Sequence, residues 1–126
     1  MKKQIVQTSD GQKPIGPYSQ AVISGDMVFI SGVVGRDPAS GNMITSGIKS
    51  ETQQAMQNLK SILTAAGIDF SHVMKTTIFL TDLKNFSEMN EVYGSYFTGE
   101  FPARETVQVS ALPLGANVEI SMIAMK

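Results

Sequence analysis

The sequence contains no cysteine. That excludes disulfides, thiol nucleophiles and cysteine-based metal sites, and it suits the cytoplasm. Histidine is almost missing too. His72 is the only one, it precedes a strand-like run, and it reads as a surface residue. A histidine-based triad or metal centre has nothing to be built from. Charge of one sign is also lacking: the formal net charge is −1 and no basic cluster occurs, so nucleic-acid backbone binding has no electrostatic footprint. Long apolar runs are absent, and none approaches the length of a membrane span. The basic pair Lys2-Lys3 leads into polar Gln7-Thr8-Ser9-Asp10-Gly11 instead of the apolar core of a signal peptide.

What is present is ordinary for a globular protein. The 126 residues suffice for one domain spanning 1–126 and are too few for two. Eight methionines, spread across all segments, read as flexible core and interface filler.

In chain order, residues 3–8 form a short extended run, followed by a turn-rich stretch. Gly16-Pro17 marks a rigid turn, with Tyr18 just before a strand at 21–24. Gly25-Asp26 turns into a second strand at 27–32, a hairpin by spacing and composition. A glycine-bearing loop covers 32–42. Ile48, Thr52, Ala55, Met56, Leu59, Ile62, Leu63 and Ala66 recur at helical spacing, with Ser46 as expected N-cap and Gly67 as left-handed stop. A strand follows at 73–81. A second helix carries Phe86, Met89, Tyr93, Tyr96 and Phe97 on one stripe, with Asn85 and Glu88 in capping-box spacing and Gly99 and Pro102 closing it. Asn90 interrupts that stripe, and an amide there must find partners, either in a local hydrogen bond or in a ligand.

The stretch from Phe101 to Lys126 carries the chemistry. Its two runs alternate in polarity with period two. Val107 and Val109 share one parity in the first run, and Val118, Ile120, Met122 and Ala124 share one in the second, the two sets being expected on a common face. Paired as a hairpin with Thr106 opposite Glu119, the runs would gather Arg104, Thr106, Glu119 and Ser121 on one face. The plainer reading of these residues is a solvated sheet surface with a stray ion pair.

Both helices are long enough to join parallel strands on one side of a mixed sheet. The expected fold is therefore α+β: a two-layer sandwich with both helices on one sheet face. The opposite face would carry Phe79 or Ile78, Phe29 or Ile30, and Ile123 with Met125. That is too apolar for water. A second copy of the chain is the natural cover, with the polar constellation near the interface.

The ordered set Gly16-Pro17-Tyr18-Ser19-Gln20-Ala21, Ile30-Ser31-Gly32, Asp37-Pro38 with Gly41, Gln54-Ala55 with Asn58-Leu59, Lys75-Thr76-Thr77, Asp82-Leu83 with Phe86, Asn90 with Tyr93, Pro102-Ala103-Arg104, Leu112-Pro113 and Glu119-Ile120 resembles the reactive-intermediate imine deaminase family (Rid, YjgF type). The resemblance spans nearly the whole chain. It implies a chorismate-mutase-like fold of order ββαβαββ, a homotrimer with clefts between subunits, no cofactor and no metal. It also implies hydrolysis of 2-imino acids and enamines to 2-keto acids and ammonia. By matched position, the carboxylate-binding arginine falls on Arg104 and the acidic residue on Glu119. Tyr18, Ser31 with Gly32, and Asn90 fall on substrate-binding positions.

Two departures stand out. Thr106 occupies a position where many members carry cysteine, and hydrolysis by water needs no thiol. Gly32-Val33-Val34-Gly35 replaces the frequent Gly-Gln-Ile-Pro, which bears on substrate range. In the expected mechanism Arg104 holds the substrate carboxylate with its planar fork, Glu119 deprotonates a water, and Thr106 or a backbone carbonyl steadies that water. Two other readings compete. A ribonuclease or translation inhibitor would need a cationic path with stacking aromatics, and the composition supplies no such path. A non-catalytic small-carboxylate-binding regulatory module would keep Arg104 as its anchor and share the same pocket.

Overall fold

The computed structural model describes residues 2–126. Eight regular elements follow in order: β1 (Gln4–Val6), β2 (Ala21–Ser24), β3 (Met27–Val34), α1 (Ile48–Ala65), β4 (Val73–Leu80), α2 (Phe86–Gly94), β5 (Ala103–Gln108) and β6 (Val118–Met125). The strands form one mixed sheet of order β1-β2-β3-β6-β4-β5, with both helices on one face. This is the expected α+β two-layer arrangement, with β1 added at the edge.

Helix α1 forms where the 3.6-residue pattern is strongest. Ile48, Thr52, Ala55, Met56, Leu59, Ile62 and Leu63 are all buried against the sheet, and each large apolar side chain contributes about 1.5–3 kcal/mol by leaving water. The helix stops as expected. Gly67 adopts φ +82°, its N–H donates to Thr64 O at 2.9 Å, and the Ile68 N–H donates to Leu63 O at 3.0 Å. This paired closure needs a left-handed residue, which glycine adopts without a Cβ penalty.

Both expected N-caps differ. Gly47, not Ser46, takes the N-cap position of α1, with φ 123° and no side-chain cap. Asn85 precedes α2 but makes no cap hydrogen bond. The reason is a 3-10 turn at Leu83–Asn85, capped by the Asp82 carboxylate through the Lys84 N–H at 2.9 Å. That turn runs directly into α2 and leaves Asn85 no extended backbone from which to cap.

The C-terminal hairpin is not formed. Strand β4 lies between β5 and β6, pairing parallel with β5 and antiparallel with β6. The physical reason is the crossover through α2, which sets β5 down beside β4 in the same direction. Strand β6 instead enters the slot between β3 and β4. The expected parity of β6 is nevertheless found: Val118, Ile120, Met122 and Ala124 are buried under the helices. The opposite face is open. It displays Phe29, Val107 and Met125, each about two-fifths exposed, with partly exposed Phe79 and Ile123. An ion pair on it links Lys75 and Glu105, at 3.2 Å, and Glu105 also accepts from the Thr77 hydroxyl.

Candidate functional site

Cross-strand partners share a sheet face, so the register decides which site residues can meet. Thr76 pairs with both Arg104 and Met122, and both Thr76 and Met122 are buried beneath the helices. Arg104 and, two residues on, Thr106 therefore face the helix side. Phe79 pairs with both Val107 and Glu119, which places Glu119 and Ser121 on the open side. Strands β5 and β6 are two spacings apart, about 10 Å. Arg104 and Glu119 thus occupy opposite faces and cannot converge within one chain. The expected single cluster is instead two separate groups.

The first group is built around Glu119. A cleft of about 290 Å³ is lined by Gln12, Ile15, Tyr18, Ser31, Gly32, Val34, Pro113 and Glu119. It opens where β3 is irregular. Between Ile30↔Met122 and Val33↔Ile120, Ser31 and Gly32 together oppose Ser121. Such a bulge bends the strand and re-aims its side chains. Ser31 and Gly32 therefore lie inside β3, which runs two residues beyond the expected strand end at Gly32. A Cβ on Gly32 would lie 2.9 Å from Glu119 Cδ and from Oε2, so only glycine lets the carboxylate rest against the backbone. Among the described residues Glu119 has no hydrogen-bond or ion-pair partner. Burial alone acts on it and raises its pKa above the ordinary glutamate value.

Tyr18 frames the mouth of this cleft. It is 43 % exposed, and its hydroxyl accepts the Ile15 N–H at 3.2 Å. Ser31 is more occupied than its sequence position suggests. Its hydroxyl donates to Ser19 O at 2.6 Å and its N–H to Gln20 O at 3.0 Å. Both donors hold the Tyr18 segment against β3, leaving only hydroxyl lone pairs for a ligand.

The second group surrounds Arg104 at the sheet edge. Its guanidinium carbon stands 5.1 Å from the Tyr93 ring centroid and 5.6 Å from that of Phe86. Such stacking aims the cation without neutralising it. Tyr93 is fixed by its hydroxyl, 2.8 Å from Thr76 Oγ1. Burial raises the Tyr93 pKa, against opposing effects from Thr76 and Arg104. Asn90 lies on α2 between the two rings that carry the guanidinium. Three buried side-chain polar atoms lack partners among the described residues, and two of them are Asn90 Oδ1 and Thr106 Oγ1. Buried polar atoms are nearly always paired, so this shelf is short of a partner.

Two residues that shape the site were not legible in advance. Glu51, in the first turn of α1, is 2 % exposed. Its carboxylate accepts from Asn117 N–H at 2.6 Å, Asn117 Nδ2 at 2.9 Å and Val118 N–H at 3.2 Å. It thereby pins the residues immediately before Glu119. Gly35 permits this: a Cβ there would lie 2.5 Å from Glu51 O. The other is Gln12, whose Oε1 accepts the Val34 N–H at 2.9 Å. Its only sequence signal was position, near Gly16-Pro17-Tyr18.

His72 is a partly exposed partner of Asp69 in a small cap at Phe70–His72, as a surface residue would be. Among the described residues no cluster of three or more His, Asp or Glu could hold a metal ion, and no helix is long and apolar enough to cross a membrane.

Comparison with known proteins gives a consistent result. The endoribonuclease L-PSP family model matches residues 8–126. Protein DfrA of Myxococcus xanthus is 51% identical over 127 residues, covering 99% of this chain and 97% of its own. The human protein named 2-iminobutanoate/2-iminopropanoate deaminase is 44% identical, covering 98% of this chain and 90% of its own. The crystal structure of RidA from an Antarctic Psychrobacter bacterium superposes with a TM-score of 0.94 at 41% identity, covering 98% of this chain and 99% of that one. The chain accordingly belongs to the endoribonuclease L-PSP family, the one that holds the reactive-intermediate imine deaminases of Rid, YjgF type.

Proposed function

We propose that this protein hydrolyses reactive 2-imino acids and their enamine tautomers, including 2-iminobutanoate and 2-iminopropanoate, in clefts built jointly by two copies of the chain. One observation carries the reading: each chain holds an acid without a cation and a cation without an acid. The Glu119 cleft has no positive group, while the Arg104 shelf has no carboxylate and presents two unpaired polar atoms, Asn90 Oδ1 and Thr106 Oγ1. The shelf lies at the edge strand β5, and the Glu119 cleft opens on the apolar face. Pairing copies through that face can bring one group against the other. A homotrimer meets the requirement with one repeated contact, and it removes Phe29, Val107 and Met125 from water. The names of the human relative and of the Psychrobacter structure support the reaction class.

In the joint cleft, Arg104 of one copy binds the substrate carboxylate in two parallel hydrogen bonds. This holds the C=N carbon at Glu119 of the other copy. Glu119 takes a proton from water as the oxygen adds to that carbon. That proton then passes to the carbinolamine nitrogen, Glu119 takes the hydroxyl proton as the C–N bond breaks, and a 2-keto acid and ammonia leave. Atoms balance with water as the only co-reactant. The protonated imine is a strong electrophile, so positioning contributes much of the acceleration. Tyr18 closes the mouth, and Thr106 and Asn90 offer polar atoms to the water and the leaving nitrogen.

The test couples the protein to a threonine or serine dehydratase and follows keto-acid and ammonia release. Added protein should speed release several-fold over spontaneous hydrolysis. No acceleration, together with salt-sensitive cleavage of RNA, would transfer the assignment to nuclease chemistry.

A further inference from the structure

Gln12 is the most buried polar residue of the Glu119 cleft, being 7 % exposed, and half of its amide is unused. Its orientation is not free. Oε1 accepts the Val34 N–H at 2.9 Å, and its main-chain carbonyl accepts Gln20 Nε2 at 2.7 Å. Gln20 is itself tied, accepting the Thr8 N–H at 2.7 Å and donating to Thr8 O at 3.1 Å. The Val34 N–H can only donate, so the amide oxygen must face it and the nitrogen must point away. Among the described residues that nitrogen has no partner. Glu119, the strong acceptor of the same cleft, is not bonded to it. The neighbouring wall is Ile15, Val34 and Pro113, which offers no side-chain acceptor. This nitrogen is not sealed off as Asn90 Oδ1 and Thr106 Oγ1 are, so on the cleft lining its two N–H groups are free to meet an acceptor brought by a ligand.

We propose that Gln12 is a substrate-reading residue whose amide N–H pair selects 2-imino acids carrying a hydroxyl or carbonyl oxygen in the side chain. The inference rests on the imine-hydrolysis reading. With the carboxylate on the Arg104 shelf and the reacting carbon at Glu119, the side chain is the part of the substrate left to reach the inner wall. An aliphatic side chain leaves the Gln12 donors unpaired beside it. An oxygen pairs them.

The experiment compares two isosteric imines made in situ by an L-amino-acid oxidase with catalase: from homoserine, ending in a hydroxyl, and from norvaline, ending in a methyl. The rate of imine loss is read by semicarbazide trapping. Wild type should favour the homoserine imine by about tenfold in kcat/KM. Gln12→Glu keeps an acceptor for the Val34 N–H but removes both donors, while Gln12→Met removes the whole polar end. In both, the ratio of the two substrates should fall towards one. The ratio cancels any general loss of activity, and the Val34 bond kept by Gln12→Glu guards against misfolding. A wild type without preference, or variants that keep it, overturns the proposal. If neither imine is accelerated, the imine-hydrolysis reading is what fails. Calorimetric binding of 4-hydroxy-2-oxobutanoate against 2-oxopentanoate to wild type and Gln12→Glu then decides the role of Gln12 separately.

Discussion

Gly32 and Glu119 touch as closely as a backbone and a carboxylate can: a Cβ on the first would lie 2.9 Å from Oε2 of the second. Gly32 does not use positive φ, so alanine is conformationally acceptable there. The obstructing atoms belong to a side chain that can swing aside. Gly32→Ala should therefore leave the melting temperature within a few degrees and lower kcat by about 10–100-fold, because the carboxylate is displaced from the water it activates. Thermal melting and dehydratase-coupled rates on the same preparation check both halves.

The pH dependence of Glu119 has a definite sign. Burial disfavours its charged form and raises the folded pKa. The folded chain then holds a proton that the unfolded chain has released, so stability falls as pH rises through that interval. In the dissociated chain, where no Arg104 of another copy faces the carboxylate, Glu119→Gln should melt with wild type at pH 4 and above it at pH 7.5. A wild type more stable than the variant at pH 7.5 contradicts the burial argument.

Arg104 is distinguished from a generic cation by its geometry. Lysine keeps the charge but loses both the fork and the stacking on Phe86 and Tyr93. Arg104→Lys should cost about 2–4 kcal/mol of transition-state binding, seen as a fall in kcat/KM on 2-iminobutanoate. Thr106→Cys should be tolerated, since no step uses a thiol. Wild-type rates in Arg104→Ala would remove the anchoring role.

Assembly is tested by mixing inactive variants. Arg104→Ala and Glu119→Gln, refolded together in equal amounts, should regain activity, because roughly a quarter of clefts in a three-fold ring draw both groups from intact positions. Arg104→Ala with Asn90→Ala should stay inactive, because both positions lie on the same shelf. Light scattering on the refolded mixture should give the trimer mass. Recovery in the second mixture, or none in the first, contradicts the division of the site.

Much of the layer structure was legible because period-two and period-3.6 patterns are local. The parity of Val118, Ile120, Met122 and Ala124, the stripe of α1 and an apolar outer face with Ile123 and Met125 follow from spacing, while the choice of Phe29 over Ile30 and of Phe79 over Ile78 needed the register. Neighbourhood was not legible. Nothing in the Arg104 or Glu119 runs reveals that β4 comes between them, because strand order is decided by crossovers and by which slot is free. Caps failed for a related reason: Ser46 and Asn85 are good capping types, but the backbone reaching them was set by Gly47 and by a 3-10 turn. Glu51 and Gln12 were invisible as site builders, since nothing in one sequence distinguishes a buried carboxylate or amide from a solvated one. The resemblance pointed to Arg104, Glu119, Tyr18, Ser31, Gly32 and Asn90, while their separation into two groups needed the register.

The position of β6 also governs when the molecule can come into being. It follows every other strand in the chain, yet it lies between β3 and β4 and provides the hydrogen-bonded link between β1-β2-β3 and β4-β5. A growing chain that has not yet released β6 holds a three-stranded meander and a parallel pair with no shared edge. These long-range pairings close last and slowly. The nascent halves expose β3 and β4 as unpaired edges until then, inviting wrong partners. Glu119 rides on the same strand, so the acid reaches its cleft in the step that closes the sheet.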